Sequence, residues 1–144
     1  MLVNREDAED ILQEAFIQAF RRLDTFRGES SFGTWLKKIV INRCLDFLKK
    51  RKLGFMDSDE EKIPDRQDES LEEDKISNEM IHECIKSLPE GARVIVNLYL
   101  MEGFSHKESA KMLGITESTA KTQYHRAKHL LRERINEKTL YEKA

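Results

Sequence analysis

Ser105-His106-Lys107-Glu108-Ser109-Ala110-Lys111-Met112-Leu113-Gly114-Ile115-Thr116-Glu117-Ser118-Thr119-Ala120-Lys121-Thr122-Gln123-Tyr124-His125-Arg126 spells a helix, a tight turn and a second helix. Ser105 with Glu108 three residues on is a capping box that starts the first helix, and Ala110 is small where two helices must cross closely. Gly114 ends that helix by supplying the positive-φ residue, Ile115 lies beneath the turn, and Thr116 is placed to cap the next helix. The second helix then carries Ser118, Thr119, Lys121, Thr122, His125 and Arg126 toward solvent, while Ala120, Tyr124, Ala127, Leu130 and Leu131 recur at helical spacing for burial. This is the pattern of a helix-turn-helix, whose second helix lies in the major groove of DNA. The alternative is an ordinary pair of helices with a solvated charged face, and the coincidence of turn chemistry with a basic face favours DNA reading.

At 144 residues the chain has room for one ordinary domain or two small ones, and a 39% hydrophobic share supports helical cores of modest size. A formal net charge of −2 argues against nucleic acid only if charge is spread evenly. It is segregated. From Leu36 to Lys52 the basic residues Lys37, Lys38, Arg43, Lys49, Lys50, Arg51 and Lys52 face a single acid, Asp46, and Lys107 to Arg134 is basic again. Between these blocks, Asp57 to Glu79 is dominated by acids. Two cationic surfaces separated by an anionic segment follow. Cys44 and Cys84 lie forty residues apart within helical apolar patterns, which predicts buried free thiols in a reducing cytoplasm. Neither has metal-ligand spacing, and the run around Asp57 and Asp59 lacks the register of a calcium loop, so no metal or other cofactor is expected. No apolar run reaches membrane length and the charged amino terminus is not a signal peptide; the expected location is cytoplasmic, without membrane insertion. Phosphate-binding glycine loops and nucleophile motifs are absent, so the chain is not read as an enzyme and has no candidate catalytic residues.

Upstream, Asn4 caps a helix that begins with Glu6 and Asp7, and Ala8, Ile11, Leu12, Ala15, Phe16, Ala19, Phe20 and Leu23 mark one wide apolar face. The opposite face, including Asp10, Gln13, Glu14, Gln18, Arg21 and Arg22, suits solvent or a partner helix. Phe26 to Ser31 breaks the periodicity as a loop, with Ser30 or Ser31 capping the next helix. That helix, from about Phe32 to Lys52, buries Phe32, Trp35, Leu36, Ile39, Val40, Leu45 and Leu48 and turns Lys37, Lys38, Asn42, Arg43, Asp46, Lys49 and Lys50 outward. Its basic face fits single-stranded or distorted nucleic acid and equally a solvated amphipathic helix.

Residues 53–74 lose periodicity and hold Gly54, Pro64 and most of the acidic charge, the composition of a flexible tether. The chain therefore reads as all-α, with two small helical domains, 1–52 and 75–144, joined by an acidic linker at 53–74, the second domain containing the helix-turn-helix. Limited proteolysis is expected to cut first between about Leu53 and Asp74, because few residues there can bury apolar area against the entropy of ordering. First cuts inside the flanking helices would contradict this organisation. In the second block Ile76, Met80, Cys84, Ile85 and Leu88 form one helix, while Pro89 and Glu90 open another that carries Val94, Ile95, Leu98 and Met101 and closes at Gly103.

In order, the chain offers Asp7-Ala8-Glu9-Asp10-Ile11-Leu12-Gln13-Glu14-Ala15-Phe16, the Phe26 to Leu36 segment, Asn42-Arg43, Leu88-Pro89, and Lys121-Thr122-Gln123-Tyr124-His125-Arg126-Ala127. Together they resemble the extracytoplasmic-function sigma factors of bacterial RNA polymerase over nearly the whole chain outside the linker. The resemblance implies a promoter-specificity subunit that directs core RNA polymerase to promoter DNA, with an anti-sigma factor as a further partner. It implies polymerase binding by Asp10, Gln13, Glu14 and Gln18. Minus-ten recognition and strand opening fall to Arg27, Gly28, Glu29, Ser30, Ser31, Lys38, Asn42 and Arg43, a loop of polar edges suited to holding an extruded base. Minus-thirty-five recognition falls to Ser118, Thr119, Lys121, Thr122, His125 and Arg126. Trp35 lies on the apolar face and is read as core, not as a stacking platform. Three departures stand out. Family members begin with a further helix pairing with the first one here, which this chain as given lacks. Ser109 stands where a branched apolar residue is usual, and Ala120 where valine is usual. The competing readings are a sigma-like interaction protein and a conventional helix-turn-helix regulator, neither competent for promoter opening.

Overall fold

The computed structural model describes residues 1–51, 53–54 and 76–143, so the acidic segment expected at 53–74 lies almost entirely outside the described residues. The described residues are helical throughout, without a strand, and the chain divides into two units, Met1–Leu53 and Gly54–Ala144. No described helix is long and apolar enough to cross a membrane.

The first unit is a helical pair, α1 (Arg5–Arg21) and α2 (Phe32–Lys50), joined through a 3-10 turn at Leu23–Thr25. Asn4 caps α1 by accepting from the Asp7 amide at 3.0 Å, and Ser31 caps α2 by accepting from Thr34 at 3.2 Å, which settles the choice between the two serines. Ala15, Ala19 and Ile39 form the buried contact, flanked by Trp35, Leu36 and Val40. Arg51 donates to Asp7 at 3.3 Å, tying the end of α2 to the start of α1. This surface ion pair sets direction more than stability.

The apolar face expected along α1 is only partly buried. Ile11, Ala15 and Ala19 are in the core, but Leu12, Phe16, Ile17 and Leu23 are exposed and Phe20 is 75% exposed. A single facing helix covers one narrow stripe, and the stripe that meets α2 is the one with small residues. Similarly, α2 buries Ile39, Ile41, Leu45 and Leu48, whereas Phe32, expected in the core, is 48% exposed at its first turn.

The second unit packs α3 (Asn78–Ser87), α4 (Glu90–Val96) and α5 (His106–Leu113) around α6 (Glu117–Lys143). Ser77 caps α3, and Pro89 precedes α4, where its missing N–H costs nothing. The helix expected to run to Met101 instead widens after Val96 into a π-helical segment, Asn97–Met101, which leaves Met101 exposed while Leu98 stays fully buried. Gly103 then takes φ +74. Val94, Ile95, Val96, Leu98, Ala120, Ala127, Leu131 and Ile135 are all buried, and α4 packs against α6. The last turns of α6 lie on α3, with Lys138 paired to Glu83 and Thr139 against Met80. Lys138 holds the Glu83 carboxyl below its ordinary range, and Glu83 raises the Lys138 ammonium in return. Cys84 is fully buried and Cys44 half-buried; both are free thiols, raised by burial.

Candidate functional site

The α5–α6 junction is held by local hydrogen bonds at every step. Ser105 Oγ accepts from the Glu108 amide at 3.1 Å, and the Ser105 amide donates to Glu108 Oε2 at 2.8 Å, completing the capping box. Gly114 adopts φ +70. The Ile115 amide donates to Ala110 at 3.0 Å and the Gly114 amide to Lys111 at 3.4 Å, the paired pattern of a Schellman stop. Two residues later Thr116 Oγ1 accepts from the Thr119 amide at 3.1 Å, capping α6. α6 therefore starts at a defined place with Ser118, Thr119, Lys121, Thr122 and His125 exposed and Arg126 half-buried.

Not every group on this row is equally free. Thr122 Oγ1 donates to the Ser118 carbonyl at 3.1 Å, and Thr119 Oγ1 lies 2.8 Å from Thr116 Oγ1. Lys121 Nζ lies 3.2 Å from Glu117 Oε1, one turn back on the same face. Beneath the row, His106 stacks on Tyr99 with centroids 4.2 Å apart and planes at 7°, and Tyr124 leans on Tyr99 at 4.3 Å. Burial raises the Tyr124 hydroxyl, with Tyr99 adding to the shift. This three-ring support joins α6 to the π-helical segment and to the first residue of α5. Helical spacing marks only Tyr124 of these rings for burial, because the ring contacts span 25 residues and have no local signature. It also missed Gln123, which is buried in α6.

In the first unit the loop before α2 turns at Gly28, φ +72, where a side chain would be strained. Its ends are clasped by Phe26, Phe32 and Trp35, with centroids 5.4–5.7 Å apart. Ser31 is occupied by its cap, whereas Arg27, Glu29 and Ser30 are exposed around Gly28. Lys38 and Asn42 lie one turn apart on the exposed face of α2. Arg43 does not share that face. It is half-buried and turned toward α1, where its Nε donates to Gln18 Oε1 at 2.6 Å.

On α1, Asp10, Gln13 and Glu14 are exposed and Gln18 is half-buried, spaced to share one face. Glu14, Ile17, Gln18, Arg21, Arg22 and Arg43 line an open groove of about 470 Å³. Helical spacing puts Arg21 and Arg22 on the face of Gln18, at i+3 and i+4, but the groove itself needs Arg43 of α2 and is not legible from that spacing.

The two helical units, one with a clasped polar loop and the other with a capped helix that exposes a polar row, match the two parts of a single family. Residues 1–53 match the family model Sigma-70 region 2, and residues 78–131 match Sigma-70, region 4. The chain is 32% identical over 143 residues to the ECF RNA polymerase sigma-E factor of Escherichia coli, covering 90% of this chain and 74% of that protein. It is 28% identical over 147 residues to the factor of the same name from Haemophilus influenzae, covering 92% and 77%. The solved structure of the sigma factor RpoE in complex with the anti-sigma factor NepR from Bartonella quintana shares the fold, with a TM-score of 0.59 and 24% identity over 94% of this chain and 84% of that one. The chain belongs to the extracytoplasmic-function sigma factors of bacterial RNA polymerase. It is accordingly a non-catalytic regulator of transcription initiation.

Proposed function

We propose that this chain directs core RNA polymerase to promoters by reading the minus-thirty-five element as duplex DNA with a helix-turn-helix formed by α5 and α6, and by opening the minus-ten element with the Arg27 to Ser31 loop and the basic face of α2. Residues 1–52 and 75–144 act as its two domains on either side of an acidic linker, a division supported by the two family matches. The observation that carries the reading is the row Ser118, Lys121, Thr122 and His125, exposed on a helix whose start is fixed by the Gly114 turn and the Thr116 cap. Such a helix can present its N-terminal residues to base edges without further ordering. Thr119 stands beside the row, and Arg126, half-buried, serves phosphate or packing.

On α2, Lys38 and Asn42 face the displaced strand, while the exposed loop edges of Arg27, Glu29 and Ser30 replace the pairing that an extruded base loses. Asp10, Gln13, Glu14 and Gln18 form the polymerase-docking face of α1. An anti-sigma factor is the third partner, by analogy with the NepR complex of the Bartonella protein.

Lys121→Ala is expected to weaken promoter binding by about 1–3 kcal/mol and to relax preference at one base position. Breaking its exposed pair with Glu117 costs little, because surface ion pairs contribute only ~0–1 kcal/mol. Binding measured across a minus-thirty-five sequence library checks this; uniform weakening at every sequence would make Lys121 a phosphate contact. Transcription from a genomic fragment library with core polymerase tests the whole reading. A polymerase-free operator footprint, or polymerase binding without transcript, would replace it.

A further inference from the structure

The position of Arg43 changes which surface it serves. Neighbouring Asn42 is exposed with Lys38 on the outer face of α2, but Arg43 reaches in the other direction and is held by Gln18 across the helix pair at 2.6 Å. Gln18 accepts through Oε1, so the bond fixes which way its amide points and leaves the Nε2 donors for the groove. Arg43 contributes Nε to this bond and keeps its two Nη groups, a planar fork matched to a carboxylate.

Around this bond the groove gathers three guanidinium groups, Arg21, Arg22 and Arg43, against one carboxylate, Glu14, with the Ile17 side chain as an apolar wall. Its formal excess is positive. It adjoins the Asp10, Gln13 and Glu14 row of α1, and neither Lys38 nor Asn42 lines it. We infer that this groove is a receptor for an acidic side chain of the docked polymerase, and that Arg43 works there, positioning Gln18 and binding the carboxylate, instead of contacting the promoter strand. A nucleic-acid phosphate is the less suitable occupant, because Ile17 offers an apolar contact that the methylenes of an acidic side chain use and a phosphate chain does not. The inference rests on the reading of α1 as the polymerase-docking helix and adds the chemistry of the group it receives.

The test uses the full chain with core polymerase, comparing Arg43→Gln, the surface double variant Arg21→Glu with Arg22→Glu, and Gln13→Ala as a control on the docking face. Arg43→Gln and the double reversal are each expected to raise the Kd for core polymerase at least tenfold at low salt, with the difference shrinking as salt rises. At saturating sigma factor, Arg43→Gln is expected to slow opening of the minus-ten element no more than the Arg21→Glu with Arg22→Glu variant does. Because Arg21 and Arg22 are exposed, the double variant remains informative even if Arg43→Gln lowers stability. An unchanged Kd with slowed opening for Arg43→Gln would overturn the inference and return Arg43 to the DNA face. Loss of affinity in Gln13→Ala with none in the arginine variants would overturn the groove assignment alone, whereas unchanged affinity in all three would remove the docking reading beneath it.

Discussion

Glu29→Ala combined with Ser30→Ala is expected to abolish strand opening while leaving polymerase binding and minus-thirty-five recognition intact. Neither side chain holds the fold: both are exposed, and Ser30 Oγ makes just a long 3.4 Å bond to the Ser31 carbonyl among the described residues. The loop keeps its shape through Gly28, the Ser31 cap and the Phe26–Phe32–Trp35 clasp, none of which the substitutions touch. The energetic demand falls on the DNA instead. Extruding a base costs about a few kcal/mol in stacking and pairing, and the exposed edges at 29 and 30 are the groups available to offset it. Permanganate reactivity of unpaired thymines around the minus-ten element measures the effect. Opening at the unmodified rate would reduce the loop to a connector.

Leu98→Ala is expected to destabilise the second unit by about 2–5 kcal/mol, because a fully buried leucine loses both its transfer energy and the packing around the space it leaves. Leu98 sits in the π-helical segment that joins α4 to Gly103, next to Tyr99, whose ring meets Tyr124 of α6, and its carbonyl also receives the Phe104 amide at 3.0 Å. The chain has one tryptophan, Trp35, and it lies in the first unit. Urea unfolding followed by far-UV dichroism should therefore shift to lower denaturant while the tryptophan-fluorescence transition stays in place. An equal shift in both signals would mean that the units unfold as one.

The features readable from sequence were those decided within a few residues. Asn4, Ser105, Gly114 and Thr116 occupy the caps and turn that their chemistry demands, since each acts on an amide three residues away or on its own φ. The width of the α1 contact was not readable in this way. Helical spacing tells which side is apolar, but not that one neighbour covers only Ile11, Ala15 and Ala19. Arg43 lies at the border between the exposed and packed sides of α2, and only the α1 position of Gln18 decides which way it turns. The last turns of α6, which run to Lys143, likewise have distant partners, Met80 and Glu83.

The turn at Gly114 also bears on the thermodynamics of association. With Ser105, Glu108, Gly114 and Thr116 all hydrogen-bonded before any ligand arrives, α6 has already lost the conformational freedom that docking would otherwise remove. In the proposed docking on DNA it would act as a rigid probe. The heat-capacity change on complex formation should then follow the interface area alone, without the excess that accompanies folding on contact. In the proposed minus-thirty-five role, Lys121 and its neighbours would meet base edges from a fixed surface, so that the adjustment on docking would fall to the nucleic acid.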